Sequence, residues 1–429
     1  MEQRRVAYVI RMFPQLSETF VANEILSLER LGMPLEIFSY RRPSSPVPHE
    51  CVRQIKAPIT YLPDPLYRHP LALAAANSRI LLRESARYSS TIRFLARDLF
   101  ADHEPYTWRR FQHAVALAAI LKGNGIDHLH GHFAHAATRV TMLASMMTGL
   151  RFSFSAHAKD IYTSNPQVLR KKIEAAEFVM TCTKANQDYL RSLVPEAYRA
   201  RIKLGYHGVD VGKWTNHELT PSTDPPLILS VGRLVEKKGF EHLLRACDAL
   251  RRDGGKFRCR IVGDGPQKQM LRTMIAELDL GDVVTLTDGC SQETLIDHYR
   301  EATVFALPCQ VMENGDRDGI PNVLLEAMAV GVPVITSGVS GIPEIIRDGH
   351  NGVLVQQRDC DALAAGLGRM LRDGELRGRL ALSARDTVMQ EFDSSVSGRK
   401  LAHLFGNGNG HVDDRAWSEE TERYVAQAG

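Results

Sequence analysis

The chain has 429 residues, too many for one ordinary hydrophobic core, so two domains are expected. Hydrophobic residues make up 44% of the chain and charged residues 24%, which is typical of a globular protein. The net charge of +3 is too small to indicate a nucleic-acid partner. Seven scattered cysteines favour reduced thiols, and no apolar run suits a signal peptide or membrane span, so we expect a cytoplasmic protein.

Short apolar runs alternate with helical patterns along the whole chain, which is typical of α/β proteins with parallel sheets. In the first half the predicted strands are Arg5–Ile10, Leu35–Ser39, His128–Gly131, Phe152–Ala156 and Phe178–Thr181. In the second half they are Leu227–Val231, Arg258–Val262, Val283–Thr285, Val304–Leu307 and Val332–Ile335. We therefore expect two Rossmann-like parallel-sheet domains that face each other across a ligand cleft.

A polar, proline-rich stretch over residues 215–226 predicts the linker between these domains. The first domain is then expected over residues 1–214 and the second over residues 227–385. We expect a helix over residues 386–405 to pack back on the first domain. The glycine- and asparagine-rich residues 406–429 predict a disordered tail.

The loop after the first strand contains Ser17, Glu18 and Thr19. These residues can cap the helix that follows. They also lie at the carboxyl end of a parallel strand, where α/β proteins bind their ligands. We therefore keep them as candidate acceptor or cleft-lining residues.

Residues 68–112 are unusually rich in arginine, with eight arginines, four acids and no lysine. Arg79, Arg83 and Arg87 recur every four residues among apolar side chains. A basic amphipathic helix can lie on an anionic membrane. Equally, arginines can cover a packed helical insertion. Both interpretations stay open.

Several histidines lie near the carboxyl ends of strands in the first half. His130, His132 and His135 could form a zinc site, but no cysteine or clear acidic fourth ligand accompanies them. A cleft-lining role for His132 is therefore the preferred interpretation. His157 directly follows a predicted strand and so faces the cleft, with Asp160 three residues later; a structural histidine is the alternative.

The first strand of the second half ends at Gly232 and is followed by Arg233 and Lys238. Arginine through its planar fork and lysine as a point charge can neutralise a diphosphate at such a turn. A solvated basic turn is the alternative. Residues 263–266 form a second glycine turn of the kind that any α/β protein needs.

Glu326 is surrounded in sequence by apolar residues, which predicts a buried helix and a carboxylate that needs hydrogen-bond partners. Gly319 and Pro321 mark the start of this helix, where backbone N–H groups are free. Asn322 lies on the same helix face as Glu326. Such a helix start suits a phosphorylated, polyhydroxylated ligand. A salt bridge from Glu326 to an arginine is the alternative.

Together these motifs resemble glycosyltransferase family 4, whose members are nucleotide-sugar enzymes of the GT-B architecture. The resemblance covers the second half and, more loosely, the first; in chain order it is carried by Arg233 and Lys238, residues 263–266, residues 318–326 and residues 341–344. Residues 13–20, 130–134 and 156–162 are similar to the family branch that builds colanic-acid-type exopolysaccharides.

The resemblance implies roles for individual residues. Arg233 and Lys238 would hold the donor diphosphate, and Glu326 would receive the ribose hydroxyls. Asp318 would bind hydroxyls of the donor sugar, and His157 would lie beside that sugar, which makes both candidate catalytic residues. The family usually has Glu where this chain has Asp318, so the reach of this side chain differs. The residues expected to face the donor sugar and phosphate are Gly319, Ile320, Pro321, Asn322 and Val323.

Asp316-Arg-Asp318 can instead be interpreted as the Asp-x-Asp metal site of other glycosyltransferases. Arg233 and Lys238 already supply the positive charge that a metal would bring to the leaving diphosphate. We therefore expect no metal and no other cofactor.

The resemblance implies a retaining transferase that moves sugar from a UDP- or GDP-sugar to a polyprenyl-diphosphate-linked oligosaccharide in exopolysaccharide biosynthesis. Such an acceptor would bring the protein to the anionic inner face of the plasma membrane as a peripheral protein. The alternatives are a nucleotide-sugar epimerase of the same fold and a two-domain sugar-binding protein without catalysis.

Overall fold

The computed structural model describes residues 4–15, 18–43, 50–101, 107–215 and 224–406. Within these ranges the chain forms two compact units. The first unit contains the described residues up to Gly205 and those from Ser397 onwards, and the second unit extends from Tyr206 to Val396. Ser17, residues 216–223 of the predicted linker and the predicted tail from residue 407 lie outside the described residues.

The first unit is built on a parallel sheet of seven strands, in the order β3-β2-β1-β4-β5-β6-β7. Central strand β1 pairs with β2 on one side and with β4 on the other. The strands are β1 (Val6–Ile10), β2 (Leu35–Ser39), β3 (Ile59–Tyr61), β4 (His128–His132), β5 (Arg151–Ala156), β6 (Val179–Thr181) and β7 (Ile202–Leu204).

Helices of the first unit connect these parallel strands. They are α1 (Thr19–Arg30), α2 (Glu50–Gln54), α3 (Pro70–Arg83), α4 (Ser85–Ala101), α5 (Thr107–Leu121), α6 (Ala136–Thr148), α7 (Ala158–Tyr162), α8 (Pro166–Ala175), α9 (Lys184–Ser192) and α10 (Glu196–Arg199). A short 3₁₀ helix, Leu66–Arg68, precedes α3. Every residue of β1 and β4 is buried, so helices cover both faces of the sheet centre, as parallel sheets require.

The second unit is built on a parallel sheet of six strands, in the order β10-β9-β8-β11-β12-β13. The strands are β8 (Leu227–Val231), β9 (Arg258–Val262), β10 (Val284–Thr287), β11 (Val304–Leu307), β12 (Val334–Ser337) and β13 (Val353–Val355). The helices are α11 (Val211–Thr215), α12 (Phe240–Arg252), α13 (Lys268–Glu277), α14 (Gln292–Glu301), α15 (Asn322–Val330), α16 (Ile342–Ile345), α17 (Cys360–Arg372) and α18 (Gly374–Glu391); α19 (Ser394–Gly406) follows.

The predicted α/β class with two Rossmann-like parallel sheets is confirmed. Each of the ten predicted strands is present, with small shifts of the ends. The prediction missed β3, β7 and β13. Each has only three residues and lies at the edge of its sheet. A run of three residues is shorter than the run of about four to eight residues by which a strand is recognised in a sequence.

The boundary between the units lies earlier than the predicted linker. Residues 206–215 belong to the second unit, because Trp214 of α11 is buried in its core and its ring lies 5.8 Å from that of Tyr299. The predicted helix over residues 386–405 is in fact the end of α18 followed by α19.

Helix α19 packs on the first unit through its apolar side chains. Leu401, Leu404 and Phe405 are buried in a cluster with residues of β1, α1 and β6. The Phe405 ring lies 5.7 Å from that of Phe178. The chain therefore returns to the first unit after it has formed the second.

The arginine-rich segment forms the three helices α3, α4 and α5, so its regularly spaced arginines do not all lie on one helix. Arg79 and Arg83 belong to α3, but Arg87 belongs to α4, because α3 ends at Arg83 and α4 begins at Ser85. Arg79 donates to the Ala119 carbonyl, and Arg87 donates to Glu84 and to the Thr148 carbonyl. Among the described residues, no helix is both long and apolar enough to cross a membrane.

Candidate active site

Two glycine turns meet at the carboxyl ends of β8 and β9 in the second unit. A Cβ atom added to Gly263 would lie 1.9 Å from the Gly232 carbonyl oxygen. Only glycine therefore allows the two turns to touch. This close approach brings the segment Arg233–Lys238 to the edge of the sheet where parallel strands bind ligands.

Two lysines follow the first of these turns and converge on one carboxylate. Lys238 Nζ lies 2.8 Å from Asp318 Oδ2, and Lys237 Nζ lies 3.1 Å from Asp318 Oδ1. Gly239 holds this arrangement in place: it has a left-handed φ of 69°, and an added Cβ would lie 1.9 Å from the Pro308 carbonyl oxygen, just after β11.

The two lysines keep Asp318 ionised. Burial alone would raise the pKa of this carboxyl group, but the charges of Lys238 and Lys237 outweigh burial and lower it to about 2. Asp318 is therefore a hydrogen-bond acceptor at any ordinary pH. The pKa of Lys238 is raised, since Asp318 outweighs the opposing effects of burial and of the nearby Arg233 charge.

Arg233 is exposed at this turn, close enough to Lys238 to affect its pKa. Among the described residues no carboxylate pairs with its guanidinium, whereas Lys237 and Lys238 are both ion-paired. Arg233 thus offers its planar fork of donors to an incoming anion.

Both carboxylates of the Asp-x-Asp segment contact a lysine. Lys237 Nζ lies 3.0 Å from Asp316 Oδ1 and 3.1 Å from Asp318 Oδ1, and it also donates to the Arg317 carbonyl. The ammonium group thus bridges the two carboxylates. Within the described residues, no three His, Cys, Asp or Glu side chains are grouped to hold a metal ion.

Glu326 is buried on α15, as the apolar surroundings in sequence predict, with a side chain 5% exposed. Tyr299 of α14 donates a hydrogen bond of 3.1 Å to its carboxylate, so its partner is a tyrosine rather than the alternative arginine. Burial raises the pKa of Glu326 to about 7, against the opposing effects of Tyr299, Lys213 and Gln292. This carboxyl group can therefore change its protonation near neutral pH.

The start of α15 lies between Asp318 and Glu326. The helix begins at Asn322, one residue later than predicted, and Pro321 precedes it in an extended conformation. The N–H of Leu324 bonds to the Pro321 carbonyl, and the preceding N–H groups have no partner within the helix. Around buried Pro321, the residues Gly319, Ile320, Asn322 and Val323 are half-buried.

In the first unit, His157 follows β5 and precedes α7, at the predicted carboxyl strand end. Its ring is 9% exposed and stacks on that of His132 at 4.9 Å. The rings of Phe133 and Phe20 lie 4.7 and 5.1 Å from it. His157 thus lies in an aromatic cluster at the end of the sheet.

Two of the predicted cleft-lining residues are buried instead. His132 is fully buried, and its Nε2 lies 3.4 Å from Glu24 Oε1. The Asp160 carboxylate accepts hydrogen bonds from the N–H groups of Ala134 and His157, at 2.5 and 2.9 Å. Burial raises the pKa of Asp160. Asp160 therefore ties the loop after β4 to the loop after β5.

The predicted histidine cluster is divided by the structure. His130 bonds to Ser153 and Ser155 at 2.8 and 3.0 Å, and burial lowers its pKa to about 3. His135 lies instead beside Thr163, at 3.4 Å. These contacts are those of structural histidines and do not form the alternative zinc site.

The loop after β1 is only partly described. Ser17 lies outside the described residues, Glu18 precedes α1 and Thr19 is its first residue. The side chain of Glu18 makes no capping hydrogen bond to the helix. The capping interpretation is therefore not supported for Glu18.

Sequence reasoning missed two residues that organise the site. Lys237 lies next to Lys238 in sequence, so its charge was visible, but its bridge to Asp316 and Asp318 joins residues about 80 positions apart. Tyr299 offered no signal, because it belongs to a different helix from Glu326 and no local pattern links the two.

Comparison with known proteins agrees with this geometry. Residues 213–387 match the family model described as Glycosyl transferases group 1. Over 426 residues the chain is 28% identical to the glycosyltransferase WcaL of Salmonella typhimurium, provisionally assigned to colanic acid biosynthesis, with 93% of this chain and 99% of that protein covered. The amylovoran biosynthesis glycosyltransferase AmsK of Erwinia amylovora is 40% identical over 205 residues, covering 48% of this chain and 50% of AmsK.

The fold is also shared with a solved structure. The crystal structure of Anabaena HepE in complex with UDP and glucose has a TM-score of 0.67 to this chain at 15% identity, covering 95% of this chain and 100% of HepE. At this identity the likeness concerns the fold alone. Residues 213–387 are thus similar to the glycosyl transferases of group 1, and the fold of the two parallel-sheet units is similar to that of HepE.

Proposed function

We propose that the protein is a retaining glycosyltransferase that moves a sugar from a nucleoside-diphosphate donor to a lipid-linked oligosaccharide in exopolysaccharide biosynthesis. The observation that supports this most is the arrangement of opposite charges in the second unit. Lys237 and Lys238 pair with ionised Asp318, and Arg233 lies close to Lys238. Asp318 precedes α15, and buried Glu326 lies in the first turns of that helix.

Each part of a nucleotide sugar has a matching group there. The diphosphate would be held by Arg233 and Lys238 and by the free N–H groups at the start of α15. Glu326 would accept the ribose hydroxyls, which favours its ionised form. Asp318, acceptor-only at a pKa of about 2, would bind hydroxyls of the donor sugar.

No metal is part of this proposal. The departing diphosphate would be stabilised by Arg233 and Lys238, which supply fixed positive charge in a partly dry site. The ammonium of Lys237 between Asp316 and Asp318 supports this, because a cation there would have to displace it. Activity should therefore persist in EDTA; loss of turnover in EDTA and rescue by magnesium or manganese would favour the metal site.

In the first unit, His157 is the proposed catalytic residue. Its place after β5, among the rings of Phe20, His132 and Phe133, holds the imidazole in one orientation. We expect His157→Asn to lower turnover while the donor still binds. A variant with unchanged turnover would leave His157 as a structural residue of the aromatic cluster.

The identity of the acceptor is proposed from the relatives in colanic acid and amylovoran biosynthesis. The decisive experiment incubates the protein with a panel of UDP- and GDP-sugars, with and without a polyprenyl-diphosphate oligosaccharide. Nucleoside diphosphate release that depends on the acceptor, together with a product of retained anomeric configuration, is expected. Conversion of one nucleotide sugar into another would identify an epimerase, and binding without turnover would identify a sugar-binding protein.

A further inference from the structure

Exposed apolar side chains concentrate in one part of the first unit. Of the eleven large hydrophobic side chains that are exposed among the described residues, six belong to residues 67–108. They are Tyr67 (77% exposed), Leu71 (84%), Leu81 (47%), Leu82 (84%), Ile92 (44%) and Trp108 (69%). A concentration of this kind marks an interaction site rather than ordinary surface.

On α3 these side chains form a continuous outward face. Leu71, Ala74, Ala75, Ser78 and Leu82 are all exposed and recur at helical spacing, while Ile80 on the opposite face is fully buried. Thus α3 buries one apolar face in the unit and presents a second apolar face to solvent. Packing within the first unit does not require the second face.

Tyr67 and Trp108 lie near the start of this face. The side chain of Arg109, the residue after Trp108, binds Asp64 at 2.5 Å, which holds the beginning of α5 beside the segment that leads to Tyr67. The guanidinium of Arg68 lies 5.7 Å from the Tyr67 ring. Tyrosine and tryptophan with nearby arginine are the residues that concentrate at bilayer interfaces.

Between residues 67 and 98, which the structure describes, the charged side chains that are exposed are all basic. Arg83 of α3 and Arg93 and Arg97 of α4 are exposed, and no carboxylate among the described residues pairs with them. The two described acids of this segment are used internally: Glu84 pairs with Arg87 and Lys122, and Asp98 pairs with Arg139 and Lys171. The solvent side is thus apolar and basic, with no exposed acid between residues 67 and 98.

We propose that the outward face of α3, flanked by the arginines of α4 and by Tyr67 and Trp108, docks on an anionic phospholipid bilayer. Leucine and aromatic side chains enter the interface while the arginines bind lipid phosphates. Two copies joined through this face would bring like charges together, which disfavours self-association.

Vesicle flotation of the full-length protein tests the proposal. We expect binding to phosphatidylcholine–phosphatidylglycerol vesicles, weaker binding at high salt, and little binding to phosphatidylcholine alone. Leu71→Ser with Leu82→Ser, and separately Arg83, Arg93 and Arg97 all changed to Glu, should each lower the partition coefficient at least ~10-fold. The Trp108→Phe variant should lose the blue shift in fluorescence that vesicles induce.

Matched controls lie in the second unit. Leu382 is 69% exposed, so Leu382→Ser makes the same change elsewhere. Changing exposed Arg258, Arg272 and Arg379 to Glu alters the net charge as much as the triple arginine variant. The proposal would be overturned if the variants of this face bound vesicles as well as the wild type, or if the control variants lost binding to the same extent. It would also be overturned if the wild type were a dimer that does not bind vesicles and if the double leucine variant were a monomer.

The result is independent of the transferase proposal. Donor binding and hydrolysis are measured in the same variants and should remain at the wild-type level, because no changed residue belongs to the donor site. Vesicle binding without nucleoside diphosphate release would refute the proposed function and leave the docking surface intact. Normal nucleoside diphosphate release without vesicle binding would refute the docking surface and leave the proposed function intact.

Discussion

Asp318 and Glu326 lie on one short segment, yet their surroundings move their pKa values in opposite directions. Two lysines hold the pKa of Asp318 at about 2, whereas burial raises that of Glu326 to about 7. Carboxyl groups with separated pKa values are a common sign of a functional site. The first is permanently an acceptor, and the second gains its charge near neutral pH.

The lysines and arginine of the site should dominate binding of the diphosphate. We expect Lys238→Ala and Arg233→Ala each to weaken transition-state stabilisation by ~2–4 kcal/mol, the scale of a lost electrostatic donor. In Lys238→Ala the pKa of Asp318 should also rise, because its strongest cationic neighbour is gone. Steady-state kinetics of the variants measure this effect. Lys256→Ala serves as the control, because Lys256 is an exposed lysine. Normal turnover in both site variants would remove this assignment.

Glu326 should make stability fall as pH rises. Its folded pKa of about 7 exceeds the ordinary 4.5, so the folded state retains a proton that the unfolded chain releases between these values. The free energy of unfolding of the wild-type protein should therefore fall by up to ~3 kcal/mol across this pH range. The Glu326→Gln variant cannot ionise at this position and should not show this loss.

Chemical denaturation of both proteins at pH 5 and pH 8 measures this difference. The stability of the variant relative to wild type should improve at the higher pH, while its affinity for a nucleotide donor falls. A constant difference between the proteins at both pH values would show that Glu326 titrates normally in the folded state.

At the scale of elements, the two glycine turns after β8 and β9 are packed so closely that they restrict which residues can stand there. Their backbones touch at Gly232 and Gly263, and a side chain at Gly263 would clash with the Gly232 carbonyl oxygen. This contact aligns two adjacent strand ends and thereby places the basic turn near Asp318.

Gly263→Ala should therefore destabilise the second unit by ~2 kcal/mol or more, since backbone must move to make room. Gly281→Ala is the control, because a Cβ atom there meets nothing within 4 Å. The midpoint temperature of thermal denaturation and the donor affinity should both fall in Gly263→Ala. Both should stay at the wild-type values in Gly281→Ala. Equal behaviour of the two would mean that the turns relax without cost.

At the scale of the whole molecule, the two units differ in their continuity along the chain. The second unit is one segment, residues 206–396, whereas the first is closed by α19 from the end of the chain. Without α19, buried Tyr8 and Phe178 would lose their contacts with Phe405.

We expect a fragment of residues 206–396 to fold alone and to bind donor nucleotide. A fragment of residues 1–205 should aggregate, because large apolar side chains would be exposed. Circular dichroism, thermal unfolding and calorimetry with UDP and GDP measure these properties. A cooperatively folded, soluble 1–205 fragment would show that α19 is dispensable.

The sequence alone determined the α/β class, the central strands and the identity of the charged groups at the candidate donor site. Continuous apolar runs such as Leu227–Val231 identify strands buried on both faces, and the motif around Asp318 and Glu326 is carried by local spacing. The edge strands β3, β7 and β13 escaped prediction because three residues make too short a run to be recognised as a strand.

Only the tertiary structure decided the partners of these groups. Lys237 reaches Asp316 across 79 positions, and Tyr299 reaches Glu326 from another helix. It also divided the histidines: His130 bonds to serines, whereas His132 stacks on His157. Local patterns record which face of an element is apolar. They do not record which distant side chain meets it, because that depends on how helices pack on the sheet.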